Sequence, residues 1–286
     1  MKFITTKATV LKRDSHDDFG TEQSSDLPDE FKVKIPKGTV LNVAKYSHLA
    51  DNKHYKLELK EAHHGSKVWY VYEGHLEADE PKAQLDNSFL ARVIRYMDSK
   101  NYEIGLGTGE ITLVGIEGCN LDGSENTDEP NHFNDVIATI EYINGKPTWK
   151  GKFLATTEPG KHYTFNPLNP KGAARLEFGQ YRAWQIGKHR DYEALVQTGG
   201  VVSVRRDGDK NFNRNGDFVD PGYFGLNIHH GGNAPKSDIG RYSAGCAVIR
   251  STKDFAEFLA IAKKDIRYKS NPKFVFSYAL LPGDKL

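Results

Sequence analysis

Apolar and polar residues alternate through most of the first eighty positions, in the short runs FITTKATVL, EFKVKI, GTVLNVAKYS, HYKLELKE and KVWYVYEG. A period of two sends one face of each run to a core and the other to water, as in half-buried strands. Pro36-Lys37-Gly38 and His64-Gly65-Ser66 supply turns between the runs. The pattern predicts an all-β module over residues 1–80. Within it, alternation places Trp69 and Val71 on one face and Tyr70 and Tyr72 on the other, so at least one pair is core and the aromatics left outside can form a peptide or glycan groove. The charged, proline-bearing stretch LEADEPKAQLD has no apolar period and predicts a linker near Ala78 to Gln84.

The period then changes. SFLARVIRYMDS sets Phe89, Leu90, Val93, Ile94 and Met97 at helical spacing, with Asp86 and Asn87 as caps. Strand patterns follow in EITLVGIEG, DVIATIEYI, KPTWKGKFLATT, AWQIG, ALVQTGGVVSVRR, FGLNIHH and KFVFSYALL. A second helix is expected from about Thr252 to Lys264, begun by Ser251 or Thr252, with Phe255, Phe258, Leu259 and Ala262 on one side. The predicted fold class is therefore mainly β, or α+β in the loose sense, with residues 85–286 as a β-rich domain carrying a few helices.

Composition narrows the function classes. Hydrophobic residues make up 38% of the 286 and aromatics 11%, enough for a buried core. Lys and Arg number 39 against 38 Asp and Glu, so no global field draws the chain to nucleic acid or an anionic membrane, and no nucleic-acid partner is expected. No apolar run suits membrane insertion, and the opening MKFITTKATVLKRDSHDD lacks the apolar core of a secretory signal. Two cysteines, Cys119 and Cys246, are too few for a disulfide framework and form no CxxC, which removes zinc ribbons and thioredoxin-like motifs. No metal and no cofactor are expected.

Chemistry concentrates in Tyr223–Ile249, YFGLNIHHGGNAPKSDIGRYSAGCAVI. An apolar strand ends in His229 and His230; after a Gly, Pro and Asp loop, Ser243-Ala244-Gly245-Cys246 leads into Ala247-Val248-Ile249. That order can bring an imidazole and a thiol together across neighbouring strands. A thiol of ordinary pKa needs a base or cation close by to act as a nucleophile, and Gly245 lets backbone amides approach a reacting carbonyl. The same residues also suit a small buried cysteine beside histidines that cap a strand.

This stretch resembles the signature of the L,D-transpeptidase (YkuD-like) catalytic domain, where a histidine after an apolar strand precedes a Ser/Thr-His-Gly-Cys tetrad by about fourteen to seventeen residues. Ile228-His229 and Ser243-Ala244-Gly245-Cys246 occupy those places. The resemblance implies that Cys246 attacks a carbonyl of a peptidoglycan stem peptide, that His229 is its base, and that the backbone carbonyl of His230 or Gly231 orients the ring. Ser243, Gly245 and His230 complete the implied catalytic set, and Asn227, Arg241, Arg182, His189 and Arg190 the substrate contacts. Location in the cell envelope or outside the cell follows, by a removed signal or another delivery route. Three departures stand out: Ala244 replaces the tetrad histidine, the gap from His229 to Ser243 is about one residue short, and the apolar Ala247 and Val248 follow the cysteine where the family carries a polar or basic residue shortly afterwards. Arg241 and Arg250 are basic residues that can compensate for the apolar Ala247 and Val248. The alternatives are a noncatalytic cell-wall binding protein that keeps the fold and a cysteine peptidase on another substrate. The first eighty residues resemble bacterial SH3-like modules in strand pattern, which implies a small β-barrel.

Four smaller expectations remain. Oxygen side chains alternate through Arg206–Asp217 as in a calcium loop, although a polar hairpin turn fits the residues better. Gly187–Asp191 reads as a charged loop, either a clamp for a stem-peptide carboxylate through Arg182 or Arg190, or a solvated turn. A hydrogen bond from His132 to Asp135 is expected to lock Pro130–Asp135, and Glu158 is expected in a turn. Cys119 is expected to be structural, against the competing account of a disulfide to Cys246.

Overall fold

The computed structural model describes residues 2–13, 24–25, 27–49, 53–78 and 87–286, and the chain divides into two compact units, Met1–Leu85 and Asp86–Leu286. The expected linker falls almost wholly outside the described residues. Both units are mainly β, with few helices, and no helix among the described residues is long and apolar enough to cross a membrane.

In the first unit the strands are β1 (Lys2–Thr5), β2 (Thr9–Lys12), β3 (Lys32–Ile35), β4 (Val40–Leu49), β5 (His54–His63), β6 (Ser66–Tyr72) and β7 (Leu76–Ala78). They pair antiparallel in the order β3-β2-β6-β5-β4-β1-β7. The run FITTKATVL, expected as one strand, breaks into β1 and β2. Thr5 ends the first piece: its hydroxyl donates to Pro36 O at 2.7 Å and accepts from Thr39 N at 2.9 Å. Phe3, Leu11, Leu41, Val43, Leu57, Trp69 and Val71 form the core. Trp69 and Val71 face inward together, but Tyr70 is also only 5% exposed, so Tyr72 alone of the three aromatics stays at the surface. Trp69, Tyr70 and Tyr72 therefore do not line a groove.

The second unit opens with α1 (Phe89–Ser99), which buries Phe89, Ala91, Val93, Ile94 and Met97. Its cap is Ser88 rather than Asn87, with Asp86 outside the described residues: the Ser88 hydroxyl accepts from Ala91 N at 3.4 Å, as an N-cap oxygen does for the third amide of the helix. The chain continues through β8 (Ile111–Glu117), β9 (Asp135–Ile143), β10 (Lys146–Thr156), α2 (Lys161–Phe165), β11 (Ala173–Leu176), β12 (Gly179–His189), β13 (Tyr192–Gln197), β14 (Val202–Asp207), β15 (Phe218–Gly222), β16 (Ile228–His230), β17 (Ala247–Ile249), α3 (Thr252–Ala262), α4 (Ile266–Ser270) and β18 (Phe276–Pro282). Eight strands close a barrel in the order β10-β17-β16-β13-β12-β18-β8-β9, while β11, β14 and β15 make a separate sheet. The barrel is filled around Trp184, Tyr278, Phe258 and Phe276.

Two neighbouring pairs of the barrel are parallel, β18 with β8 and β16 with β17. Parallel neighbours cannot be joined by a tight turn. The connection from β16 to β17 must therefore cross over, and residues 231–246 form that crossover.

Inside the unit, Glu117, Asp135, Glu158 and Arg175 are all buried. Glu158 is not a turn residue at the surface: it is 4% exposed and accepts from Arg175 Nη1 at 2.5 Å, since a carboxylate at this depth needs a cation or a proton. Asp135 opens β9 fully buried and accepts from Gly118 N, Thr157 N and Thr157 Oγ1 at 2.8, 2.6 and 2.9 Å. Its oxygens are thereby occupied, and His132 turns instead to Pro130 O, with its Nδ1 at 3.0 Å. The expected His132–Asp135 bond does not form. Both cysteines are free, which removes the disulfide.

Candidate active site

The register of β16 and β17 pairs Ile228 with Ala247, His229 with Val248 and His230 with Ile249. Side chains alternate along a strand, so Cys246, two positions before Val248, shares the face of His229. Strand spacing and rise put their Cα atoms on a diagonal of about 8 Å, within reach of an imidazole. Ile228, Ala247 and Ile249 turn into the barrel core, whereas Val248 and Cys246 pack with Phe133, Ala234 and Ile239 on the other face, against the crossover. The His230 ring goes elsewhere. It stacks on Tyr192 with ring centroids 4.2 Å apart and meets Phe255 edge-on.

The turn before Cys246 is built by two residues. Ser243, fully buried, donates its hydroxyl to Cys246 O at 2.8 Å and accepts from Gly245 N at 3.1 Å, so it braces the turn and faces no substrate. Gly245 has φ +128°, and a Cβ there would lie 2.4 Å from Ala174 O. Only glycine fits on both counts. Because the Gly245 amide is committed to Ser243, the amides of Ala244 and Cys246, like that of Ser243, donate to no protein acceptor among the described residues.

Cys246 is partly exposed; its thiol donates to Gly225 O at 3.7 Å and its sulfur accepts from Asn227 N at 3.4 Å. Burial pushes the thiol up to about 11, with the Asn227 amide and the Arg190 guanidinium pulling the other way. The free thiol is therefore protonated at neutral pH, and acting as a nucleophile would require a proton acceptor. His229 is only 5% exposed, and burial holds it down to about 4, opposed by its bond to His230 O and reinforced by His189, His230 and Arg190. Its Nδ1 lies 2.9 Å from His230 O.

Three further residues crowd the pair. His189 stacks on His229 at 4.3 Å with planes 9° apart. Asn227 reaches His189 Nδ1 with its side-chain Nδ2 at 2.9 Å while its backbone holds the thiol. Arg190 occupies the Arg190-Asp191 turn at φ +59° and is exposed, so Lys188 and His189 belong to β12 rather than to a charged loop. Tyr192, paired with His189 across that turn, was not singled out by its sequence context; the two-residue turn between polar strand ends is the signal that marks it. Arg182 stands seven residues before His189 on β12, about 23 Å along the strand, with its guanidinium 5.9 Å from the Phe274 ring. It is no part of this site. Arg241 is exposed on the crossover and makes no ion pair among the described residues. Behind Gly245 and Asn227 the interior leaves a void of about 10 Å³, room for a single water at most, so a substrate must reach Cys246 from the outer face.

Two carboxylate groups converge elsewhere. Glu117, Asp128 and Glu158 have oxygens within 4.8 Å of one another, but Arg214 pairs with Glu117 and Arg175 with Glu158, and burial raises Asp128 to about 6 and Glu158 well above its ordinary value. Two guanidinium groups already pair with two of the three carboxylates, which makes this a poor donor set for a cation. Asp207, Asp209 and Asp217 also converge within 4.8 Å, in a loop whose Asn211 and Phe212 amides both donate to Asp207. No family model matches the chain, and no curated protein is similar to it.

Proposed function

We propose that the second unit is a cysteine acyltransferase of the L,D-transpeptidase type, acting on stem-peptide amides of peptidoglycan in the cell envelope. The observation that carries this reading is Cys246 on one strand face with His229, whose Nδ1 is held by the carbonyl of the next residue. His229 Nε2 takes the thiol proton as Sγ attacks the carbonyl carbon. The amides of Ala244 and Cys246 donate to the oxyanion. The carbon–nitrogen bond breaks, the leaving amine receives the proton from His229, and a thioester remains on Cys246. An amine acceptor gives a cross-link and water gives hydrolysis; in either case His229 takes the proton of the incoming nucleophile and returns one to sulfur.

The exposed Arg190 guanidinium, which has no acidic partner among the described residues, suits the carboxylate of a stem peptide. The first unit serves in this reading as an SH3-like wall-binding module. A noncatalytic wall-binding protein is the second reading; it draws on Ala244 and on the raised thiol. Incubation of the full chain with purified muropeptides separates the two. Intact-mass spectrometry should find a muropeptide acyl group on Cys246 and a changed product profile; an unmodified Cys246 with unchanged muropeptides contradicts the enzyme.

A further inference from the structure

We propose that His189 is a substrate-facing hydrogen-bond donor, locked in the tautomer opposite to that of His229; this rests on the acyl-transfer reading above. The tautomers follow from the partners. Asn227 Oδ1 accepts from the backbone Gln197 N–H at 3.0 Å, and a backbone N–H can only donate. That bond fixes the orientation of the Asn227 amide and turns its NH₂ toward His189. His189 Nδ1, 2.9 Å away, must then be the acceptor, and the proton of its neutral ring sits on Nε2.

His229 is fixed the other way. A carbonyl oxygen accepts only, so Nδ1 of His229 carries the hydrogen that it donates to His230 O, and its Nε2 is bare. Two parallel rings 4.3 Å apart thus offer one lone pair and one N–H through their Nε2 atoms. Their charged and titratable neighbours, Arg190, Asp191, Tyr192, His230 and Cys246, include one cation close to both rings, and Arg190 joins burial in keeping each ring neutral. A base and a donor side by side suit attack on a carbonyl: His229 receives the thiol proton and His189 donates to the carbonyl oxygen as its charge grows. No bond to His189 is made or broken.

The test separates a reaction that builds an oxyanion from one that does not. In the full-length chain, acylation of Cys246 by p-nitrophenyl acetate passes through a tetrahedral oxyanion, while alkylation by iodoacetamide does not. His189→Phe keeps a stacked ring without the N–H and should slow acylation about 100-fold, the effect of one oxyanion donor, while alkylation changes less than about threefold. His189→Gln, which offers an amide N–H, should recover at least about tenfold of the loss. Imidazole ¹⁵N shifts of the wild-type protein should show protonated Nε2 in His189 and protonated Nδ1 in His229. Equal loss with both reagents, unchanged acylation in His189→Phe, or a protonated Nδ1 in His189 overturns the proposal. A wild-type Cys246 inert to both reagents overturns it together with the enzyme reading. The expected pattern in a protein that ignores muropeptides upholds His189 and refutes the peptidoglycan substrate alone.

Discussion

The second unit keeps two thiols in two polar surroundings, and burial pushes both up to about 11. Cys119 is fully buried, bridges to Glu125 through its backbone, and packs so closely on Gly283 that a Cβ there would come within 2.7 Å of its sulfur. Its charged neighbourhood includes Asp135, Glu125 and Asp122, which disfavour a thiolate, and Arg92, whose guanidinium favours one. Cys246 is partly exposed and has a backbone N–H on its sulfur, a guanidinium nearby, an imidazole on the same strand face and uncommitted amides beside it. A raised thiol therefore does not separate reactive from inert. In the proposed reading, what separates them is whether a proton acceptor and an oxyanion site share the face of the sulfur.

The sharpest way to break this comparison is to remove each sulfur. Cys246→Ala should reduce acylation and turnover to background, whereas Cys119→Ala should leave the rate within about twofold and lower stability by about 1–2 kcal/mol, the loss of a small buried group. Denaturation curves and acylation rates of both variants check this, and a rate loss in Cys119→Ala erases the distinction.

Next come the glycines that seat the sulfurs. Gly245→Ala places a methyl against Ala174 O at a φ that side chains avoid, and should cost about 3 kcal/mol together with most of the activity. Gly283→Ala meets Glu117 O at 2.4 Å and should also destabilise, while the folded fraction acylates at the wild-type rate. Thermal melts with rates normalised to folded protein separate these outcomes.

Acid distinguishes the two regions with opposite sign. His229 has its folded pKa at about 4, below the ordinary 6.5, so its contribution is complete above pH 6.5 and falls away toward pH 4, by about 3 kcal/mol. Asp128 is raised to about 6 by burial and by Glu117, so its contribution is present at low pH and lost as pH rises through 6. Urea unfolding at pH 7 and 4.5 should show His229→Gln less sensitive to acid than the wild type and Asp128→Asn more so. Identical sensitivity in all three proteins contradicts both assignments.

Much of this architecture is legible in local pattern. The helical spacing of Phe89, Val93, Ile94 and Met97 and the alternation around Trp69 are local signals, and they mark the buried faces directly. The crossover length between His229 and Cys246 is also visible, because a parallel pair demands it. The choice between His229 and His230 is not, since it depends on the register of β16 against β17, a contact between distant segments. The same reason hides Glu158, whose ion pair lies on β11, and His132, whose expected partner is taken by Thr157 and Gly118. Arg182 and Arg190 look equivalent in sequence. Only the run of β12 between them shows that the two lie at opposite ends of a strand, about 23 Å or more apart along it.

The central claim is that neutral His229 takes the proton of Cys246. The pH dependence of Cys246 acylation, measured in the wild type and in His229→Gln, tests it most directly. The wild-type rate should rise through an apparent pKa near 4 and then stay level across neutral pH, because the neutral ring is the base and the thiol stays protonated until about 11. His229→Gln should have no plateau and should climb about tenfold per pH unit toward the thiol's own ionisation. A wild-type rate that climbs in the same way and overlays the variant would contradict the pairing of Cys246 with His229.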